Sequence, residues 1–268
     1  MPDQLIRYIR SWNLREDCEP FITASGWLQP VLFNEIKCML KIARRDRDQR
    51  ANEVMIWWNG DGAAKVFLHD SEALLMERAI AASSLAEMPK NGLDDEATRI
   101  LCSVVGRLHG HRSPYPENLV PLSVWFRQLE PAAAKFGGIF AECFRMAEKL
   151  LTDQQGIVAL HGDIHHGNVL DFGGRDWLAI DPKGLIGERG FDYANIFCNP
   201  DASTAAQPGR LIKQAAIAAE AADLSRTRLL QWAAAWAGLS AAWCISDGED
   251  PQKAITVAML ALGGLHAQ

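Results

Sequence analysis

Apolar residues keep two different rhythms along this chain. In residues 20–43 they fall in short extended runs, PFITASGW, QPVLF and IKCMLKIA, broken by turn formers, which predicts strand pieces. A helical stretch is predicted from about residue 48 to residue 58. Asn59-Gly60-Asp61-Gly62 stops it, because Asn and Gly tolerate the left-handed backbone that a helix end requires. Two further extended runs, AAKVFL and ALLMER, close this region near Arg78. Beyond it the period becomes helical. Leu101, Val104, Val105 and Leu108 recur at i, i+3, i+4 and i+7, and Phe140, Cys143, Phe144, Ala147 and Leu151 repeat the stripe. Trp232, Trp236 and Trp243 share another such face and are expected to pack the core. Asp250-Pro251 predicts the cap and first turn of a last helix. The expected architecture is α+β, a small β-rich lobe over residues 1–78 followed by a larger helical lobe over residues 79–268.

Composition narrows the function classes. The 268 residues suit one large domain or two modest lobes, and 49% apolar with 22% charged residues is the balance of a chain that buries a sizeable core. With 27 basic against 33 acidic residues the net charge is −6, and no basic block occurs. That disfavours nucleic acid and anionic membranes as partners and is compatible with a cationic small molecule. The six cysteines form no CxxC pair and read as reduced, buried thiols. The N-terminal MPDQLIRYIRSW is charged and lacks the apolar core of a secretion signal, so a cytoplasmic location is expected. Residues 229–245 are apolar but short and Ala-rich, with Gln, Gly and Ser inside, which suits a buried helix better than a bilayer span.

One segment breaks the helical rhythm and holds the chemistry: GIVAL, HGDIHHGN, VLDF, GGRD, WLAI and Asp181 in succession. Residues 169–172 and 177–180 flank Gly173-Gly174-Arg175-Asp176, which predicts a β-hairpin with a four-residue loop. If Phe172 faces Trp177, Asn168 lies opposite Asp181, and opposed residues carry their Cβ atoms about 4.5–5.5 Å apart on one face. A carboxamide and a carboxylate side by side, with Asp163 just before them, form the oxygen-rich set that a hard cation such as Mg²⁺ takes, usually shared with substrate phosphates.

This arrangement resembles the protein-kinase-like phosphotransferases. Their catalytic loop reads H-x-D-x-x-x-x-N, and His161, Asp163 and Asn168 stand at that spacing, with Asp181 as the metal-binding Asp in Asp181-Pro182-Lys183-Gly184. The resemblance implies a bilobal fold, ATP and Mg²⁺ as cofactors, Asp163 as the residue that takes the proton of the attacking hydroxyl, and Asn168 and Asp181 as metal ligands. It also implies Lys41 as the strand lysine on the phosphates, with Glu53 as its helical partner and Asp48 as the alternative. Backbone groups of Glu77, Arg78 and Ala79 would meet the adenine. No GxGxxG loop is present, only Thr23-Ala24-Ser25-Gly26, so Ser25 and Gly26 are the candidates there.

The wording of LLMERA, LHGDIHHGNVLDF, WLAIDPKGLIGERGFDYANIF and GLSAAW is similar to the aminoglycoside O-phosphotransferases, and within them to the streptomycin 6-kinase and hydroxyurea kinase branch. That implies transfer to a hydroxyl of a cationic aminoglycoside, the 6-hydroxyl of streptomycin first. Hydroxyurea or another small metabolite alcohol is the alternative acceptor. Glu188, Asp247 and Glu249 either meet such an acceptor or belong to solvated turns. His161, His165 and His166 read as loop residues, and Asp192 as the residue that orients the loop or caps the next helix. GDIHHGN also has a superficial likeness to dinuclear metallophosphoesterases, but position 166 is His and no upstream DxH exists. A non-catalytic kinase-like module would lack one of Lys41, Asp163 and Asp181, and all three are present.

Overall fold

The computed structural model describes residues 3–266 apart from residues 24, 45, 81 and 111, and apart from the side chains of residues 46–49. Helix α1 (Asp3–Ser11) comes first, followed by strands β1 (Arg15–Glu16), β2 (Phe21–Ile22), β3 (Gly26–Phe33) and β4 (Ile36–Ala43). Helix α2 (Asp46–Trp58), β5 (Val66–His69) and β6 (Ala73–Glu77) complete the N-terminal region. The six strands make one antiparallel sheet in the order β1-β3-β4-β6-β5, with β2 also paired to β3. Asn34 and Glu35 join β3 to β4, both at positive φ (49° and 63°), the sign a two-residue primed turn demands.

The period of two along β4 gives the sheet its two jobs. Cys38, Leu40 and Ile42 point to one face and pack with Val31, Ala73 and Leu75. Met39 and Lys41 point to the other face, where a cleft opens. The first face is covered by α1, which the charged look of the N-terminus conceals. Its Leu5, Tyr8, Ile9 and, just past its end, Trp12 recur at i, i+3, i+4 and i+7, and Leu5 and Tyr8 are buried.

The remaining chain is mainly helical. Helix α3 (Asp94–Leu108) buries the expected Leu101, Val104, Val105 and Leu108. Strand β7 (Val120–Pro121), α4 (Leu122–Trp125), α5 (Leu129–Phe136) and α6 (Gly138–Thr152) follow. On α6 Leu150 completes the buried stripe, and Leu151 is only partly covered. Strands β8 (Ile157–Leu160), β9 (Val169–Asp171), β10 (Trp177–Ala179) and β11 (Leu185–Glu188) carry the site, and the order β7-β11-β8 makes a small mixed sheet. A 3₁₀ run over Arg189–Cys198 leads to α7 (Ala202–Ala205), α8 (Arg210–Ala222), α9 (Arg226–Asp247) and α10 (Gln252–His266). Helix α9 is apolar on every side and buried along most of its length, as the helix predicted over 229–245 requires. Asp250 Oδ1 accepts from the Gln252 N–H at 3.0 Å, so α10 starts at the expected cap. All six cysteines are free thiols. Among the described residues no helix is long and apolar enough to cross a membrane.

Candidate active site

The HGDIHHGN loop leaves β8 and is held from below by one buried carboxylate. Asp192 accepts from the backbone N–H groups of His161 (2.9 Å) and Gly162 (2.7 Å), and His109 Nε2 lies 2.8 Å from the same side chain. Asp192 therefore orients the loop, one of its two expected roles. His161 is fully buried against Trp58, with ring centroids 6.0 Å apart and nearly parallel. Its Nδ1 accepts from the Asp163 N–H (3.2 Å), which leaves Nε2 to donate to the Ile180 carbonyl (2.8 Å). Burial pushes its pKa down, against weaker upward pulls from Asp192 and Asp163, so the ring is a neutral brace between loop and hairpin.

The hairpin register differs from the expected one by a residue. Trp177 pairs with Asp171, Leu178 with Leu170 and Ala179 with Val169. Phe172 faces Asp176, its N–H donating to the Asp176 carbonyl at 3.0 Å, so Asn168 lies opposite Ile180 and not Asp181. The cause is Asp176, which adopts φ 68° and stays in the ladder, leaving a three-residue loop in place of four. A slip of one turns a strand residue to the opposite face. Asp181 escapes that fate because it lies past β10 and takes φ 59° itself, and it lines the same cleft as Asn168.

Around Asp181 the charges interlock. Lys41 Nζ, 4% exposed, lies 2.5 Å from Asp181 Oδ1. Lys183 Nζ stands 2.9 Å from Asp163 Oδ2 and 3.5 Å from Asp181 Oδ2. Burial would raise the Asp181 pKa, but Lys41 and Lys183, with a hydrogen bond from Ser25, hold the carboxyl well below the usual carboxylate range. For Lys183 burial pulls down, and the two carboxylates overcome it to leave the amine above its ordinary value. Asn168 Nδ2 donates to the Asp163 carbonyl at 3.0 Å and reaches its Oδ2 at 3.4 Å. On the other side Asn195 Nδ2 donates to Asp163 Oδ1 at 2.8 Å.

Two cavities meet here. The first, of about 510 Å³, lies under the sheet and is lined by Ser25, Lys41, Asn168 and Asp181 together with Glu77, Arg78 and Ala79. The Glu77 carboxylate is engaged by Arg175 and the Arg78 guanidinium by Asp17, and their backbone N–H groups donate to the carbonyls of Lys65 (2.9 Å) and Lys37 (3.3 Å). Gly26 starts β3 beside this cleft without lining it, and a Cβ there would press on the Ile42 carbonyl. The second cavity, of about 370 Å³, shares Ser25 and Asp181 with the first and adds Lys183, Trp125, Trp243 and Asp247.

Three expectations change. Glu53 is exposed on α2 and accepts from Asn118 Nδ2 (3.2 Å to each oxygen), so among the described residues Lys41 pairs with Asp181 and not with Glu53. The side chain of Asp48, the alternative, lies outside the described residues. Glu188 does not face a cavity. It is 1% exposed and accepts from Arg228 (2.6 Å to each oxygen), Trp232 Nε1 (2.8 Å) and the Gln155 N–H (3.0 Å), a set that ties β11 to α9. Glu249 sits at the stop of α9, its N–H on the Cys244 carbonyl, outside the cavity that Asp247 lines.

Sequence reasoning missed Lys183 and Asn195. Lys183 lies inside the quoted DPKG element. Asn195 stands three residues after Asp192 in a run whose Phe191, Tyr193, Ala194, Ile196 and Phe197 are all buried, and a polar residue in such a run is the signal that could have found it. No group of three His, Cys, Asp or Glu able to hold a metal occurs among the described residues.

The chain is 48% identical over 242 residues to a streptomycin 3″-kinase of Klebsiella pneumoniae, covering 88% of this chain and 91% of the relative. It is 27% identical over 266 residues to a streptomycin 6-kinase of Streptomyces griseus, covering 92% and 84%. Its fold matches a choline/ethanolamine kinase family protein of Mesorhizobium loti with a TM-score of 0.70 at 12% identity, over 98% of this chain and 94% of that one, a protein-kinase-like architecture. The family model described as aminoglycoside/hydroxyurea antibiotic resistance kinase matches residues 11–248, and the chain belongs to that family.

Proposed function

We propose that this protein transfers the γ-phosphate of ATP to a hydroxyl of a streptomycin-type aminoglycoside. The observation that carries the reading is the meeting of two unlike cavities at Asp181, one largely apolar under the sheet and one walled by tryptophan and aspartate. The first suits a nucleotide, with backbone of Glu77 to Ala79 at the base, and with Lys41 and Ser25 toward the phosphates. The second suits the acceptor, because a cationic guanidino group is attracted by the faces of Trp125 and Trp243 and by the Asp247 carboxylate. The net charge of −6 favours approach of such a cation.

Asp181 and Asn168 are the residues that would hold a magnesium ion. The donor set fits: one carboxylate and one carboxamide oxygen, the latter uncommitted among the described residues because Asn168 spends its Nδ2 on Asp163. When bound, that ion supplies neutralisation of phosphate charge. Asp163 takes the proton from the acceptor hydroxyl as its oxygen bonds to phosphorus and the bond to the ADP oxygen breaks. Lys183 Nζ, 2.9 Å from Asp163 Oδ2, gives that oxygen a counter-charge.

For the position of transfer, the relative at 48% identity named a 3″-kinase supports the 3″-hydroxyl over the 6-hydroxyl that the sequence resemblance implies. The test is ADP release with MgATP and streptomycin, with Asp163→Ala as control, followed by phosphorus NMR of the product to find the substituted carbon. Streptomycin-dependent turnover lost in the variant supports the kinase reading. A phosphate on carbon 6 would overturn the 3″ assignment alone.

A further inference from the structure

We infer that Asn195 is a positioning residue that sets the rotation of the Asp163 carboxylate, and that Trp236 locks it in place from the acceptor side. The inference rests on the phosphotransfer reading of this site. Asn195 Nδ2 donates to Asp163 Oδ1 at 2.8 Å. Its Oδ1 accepts from Trp236 Nε1 at 2.9 Å and from Asn199 Nδ2 at 2.9 Å. These three bonds define which way the amide points. A flipped amide would set its oxygen against the carboxylate and its NH₂ against two donors, losing all three.

The consequence falls on Asp163. Its two oxygens become inequivalent: Oδ1 is tied to Asn195, and Oδ2 faces Lys183 and Asn168. A proton acceptor works only when its lone pair is aimed at the hydroxyl, and a carboxylate held on one side alone is free to turn about its last bond. A neutral carboxamide suits this task, because it fixes the oxygen without adding a second full positive charge. Trp236 in turn stands edge-on to Trp243, with centroids 5.3 Å apart at 80°, and Trp243 stands edge-on to Trp125 at 5.3 Å and 80°. Trp243 and Trp125 wall the second cavity. The acceptor wall is thus connected to the general base through one ring and one amide.

The test measures kcat and KM for MgATP and for streptomycin in Asn195→Asp, Asn195→Ala and Trp236→Phe. Asn195→Asp keeps shape and the acceptor for Trp236 but removes the donor to Asp163, and Trp236→Phe keeps the ring but removes Nε1. Misaiming of a reacting group by about 1 Å costs on the order of 10²-fold in rate. The expected result is a fall of that order in kcat for both Asn195 variants and a smaller fall for Trp236→Phe, with KM for MgATP within about twofold, since neither residue lines the nucleotide cleft. Wild-type kcat in Asn195→Asp would overturn the proposal. So would losses in kcat matched by losses in MgATP affinity and melting temperature, which mark a structural role. If the wild-type enzyme leaves streptomycin untouched, the acceptor reading fails. The same comparison is then made on slow MgATP hydrolysis, where an unchanged rate in Asn195→Asp again overturns the role of Asn195.

Discussion

Lys183 Nζ lies 2.9 Å from Asp163 Oδ2, an ion pair between the DPKG element and the loop that carries the proposed general base. The same amine is 3.5 Å from Asp181, so one cation stands between two carboxylates that would otherwise face each other. Removing it does two opposed things. Lys183→Met is expected to lower kcat by about 10²-fold, the scale of a mis-set general base. It is also expected to tighten Mg²⁺ binding to the nucleotide-free protein by about tenfold, because a competing cation worth roughly 1.4 kcal/mol is gone. Steady-state kinetics and calorimetric Mg²⁺ titration read the two effects, and unchanged values in both would show the pair to be incidental.

Acid should destabilise the fold well before carboxylates titrate. His166 is buried in the HGDIHHGN loop, with neither ring nitrogen bonded to a described residue, and burial, with Arg210 nearby, pushes its pKa down to about 4. His161 is lowered too, mainly by burial. A histidine lowered on folding binds fewer protons in the native state, so stability is full above the unfolded value near 6.5 and is lost as pH falls toward the folded value. For His166 the loss between pH 7 and pH 4 is on the order of 3 kcal/mol. Asp181, held low, adds its own loss only below about pH 4, and Lys183, held high, only above about pH 10. Melting temperature against pH is expected to fall from about pH 6.5 downward, and His166→Leu to flatten that slope while leaving the value at pH 8 nearly unchanged.

The buried pair of Glu188 and Arg228 predicts a stability defect without a binding defect. Arg228→Ala would leave the Glu188 carboxylate buried among Trp232 and the Gln155 N–H with no counter-charge. Stranding a buried charge costs about 3–5 kcal/mol. The expected outcome is a large drop in denaturant midpoint with KM for the acceptor preserved in the protein that remains folded. A raised acceptor KM with normal stability would return Glu188 to the acceptor site.

Asp247 predicts the opposite pattern. It is exposed and lines the second cavity, so Asp247→Asn is expected to leave the melting temperature within a degree or two and to raise KM for a cationic acceptor by about fivefold, roughly 1 kcal/mol for a solvent-facing charge. The effect should shrink at high salt. An unchanged KM at low salt would remove Asp247 from the acceptor wall.

Much of this site was legible because its chemistry is local in sequence. His161, Asp163 and Asn168 lie within eight residues and Asp181 follows across one hairpin, so spacing and two apolar runs placed them in one neighbourhood although the register deduced from the runs was off by one. The helices of the larger lobe were legible for a similar reason, since a period of 3.6 shows in a dozen residues. Boundaries held less well. The helix expected from residue 48 begins at Asp46, and α1 was hidden by the charges around its four apolar positions.

What the tertiary structure alone decided was pairing across distance. Among the described residues Lys41 pairs with Asp181, 140 residues away, and no periodicity points from one to the other. Glu53 and Glu188 have the right chemistry for the roles first given them, but a helix face turned to solvent and a buried arginine on α9 claim them. The hairpin register hung on one left-handed residue, Asp176, whose conformation a propensity argument does not force. Local sequence sets which groups are within a few residues of each other and which way a regular element turns them. Which of several equally charged side chains meets a given partner depends on how separate elements pack, and that is a property of the whole fold.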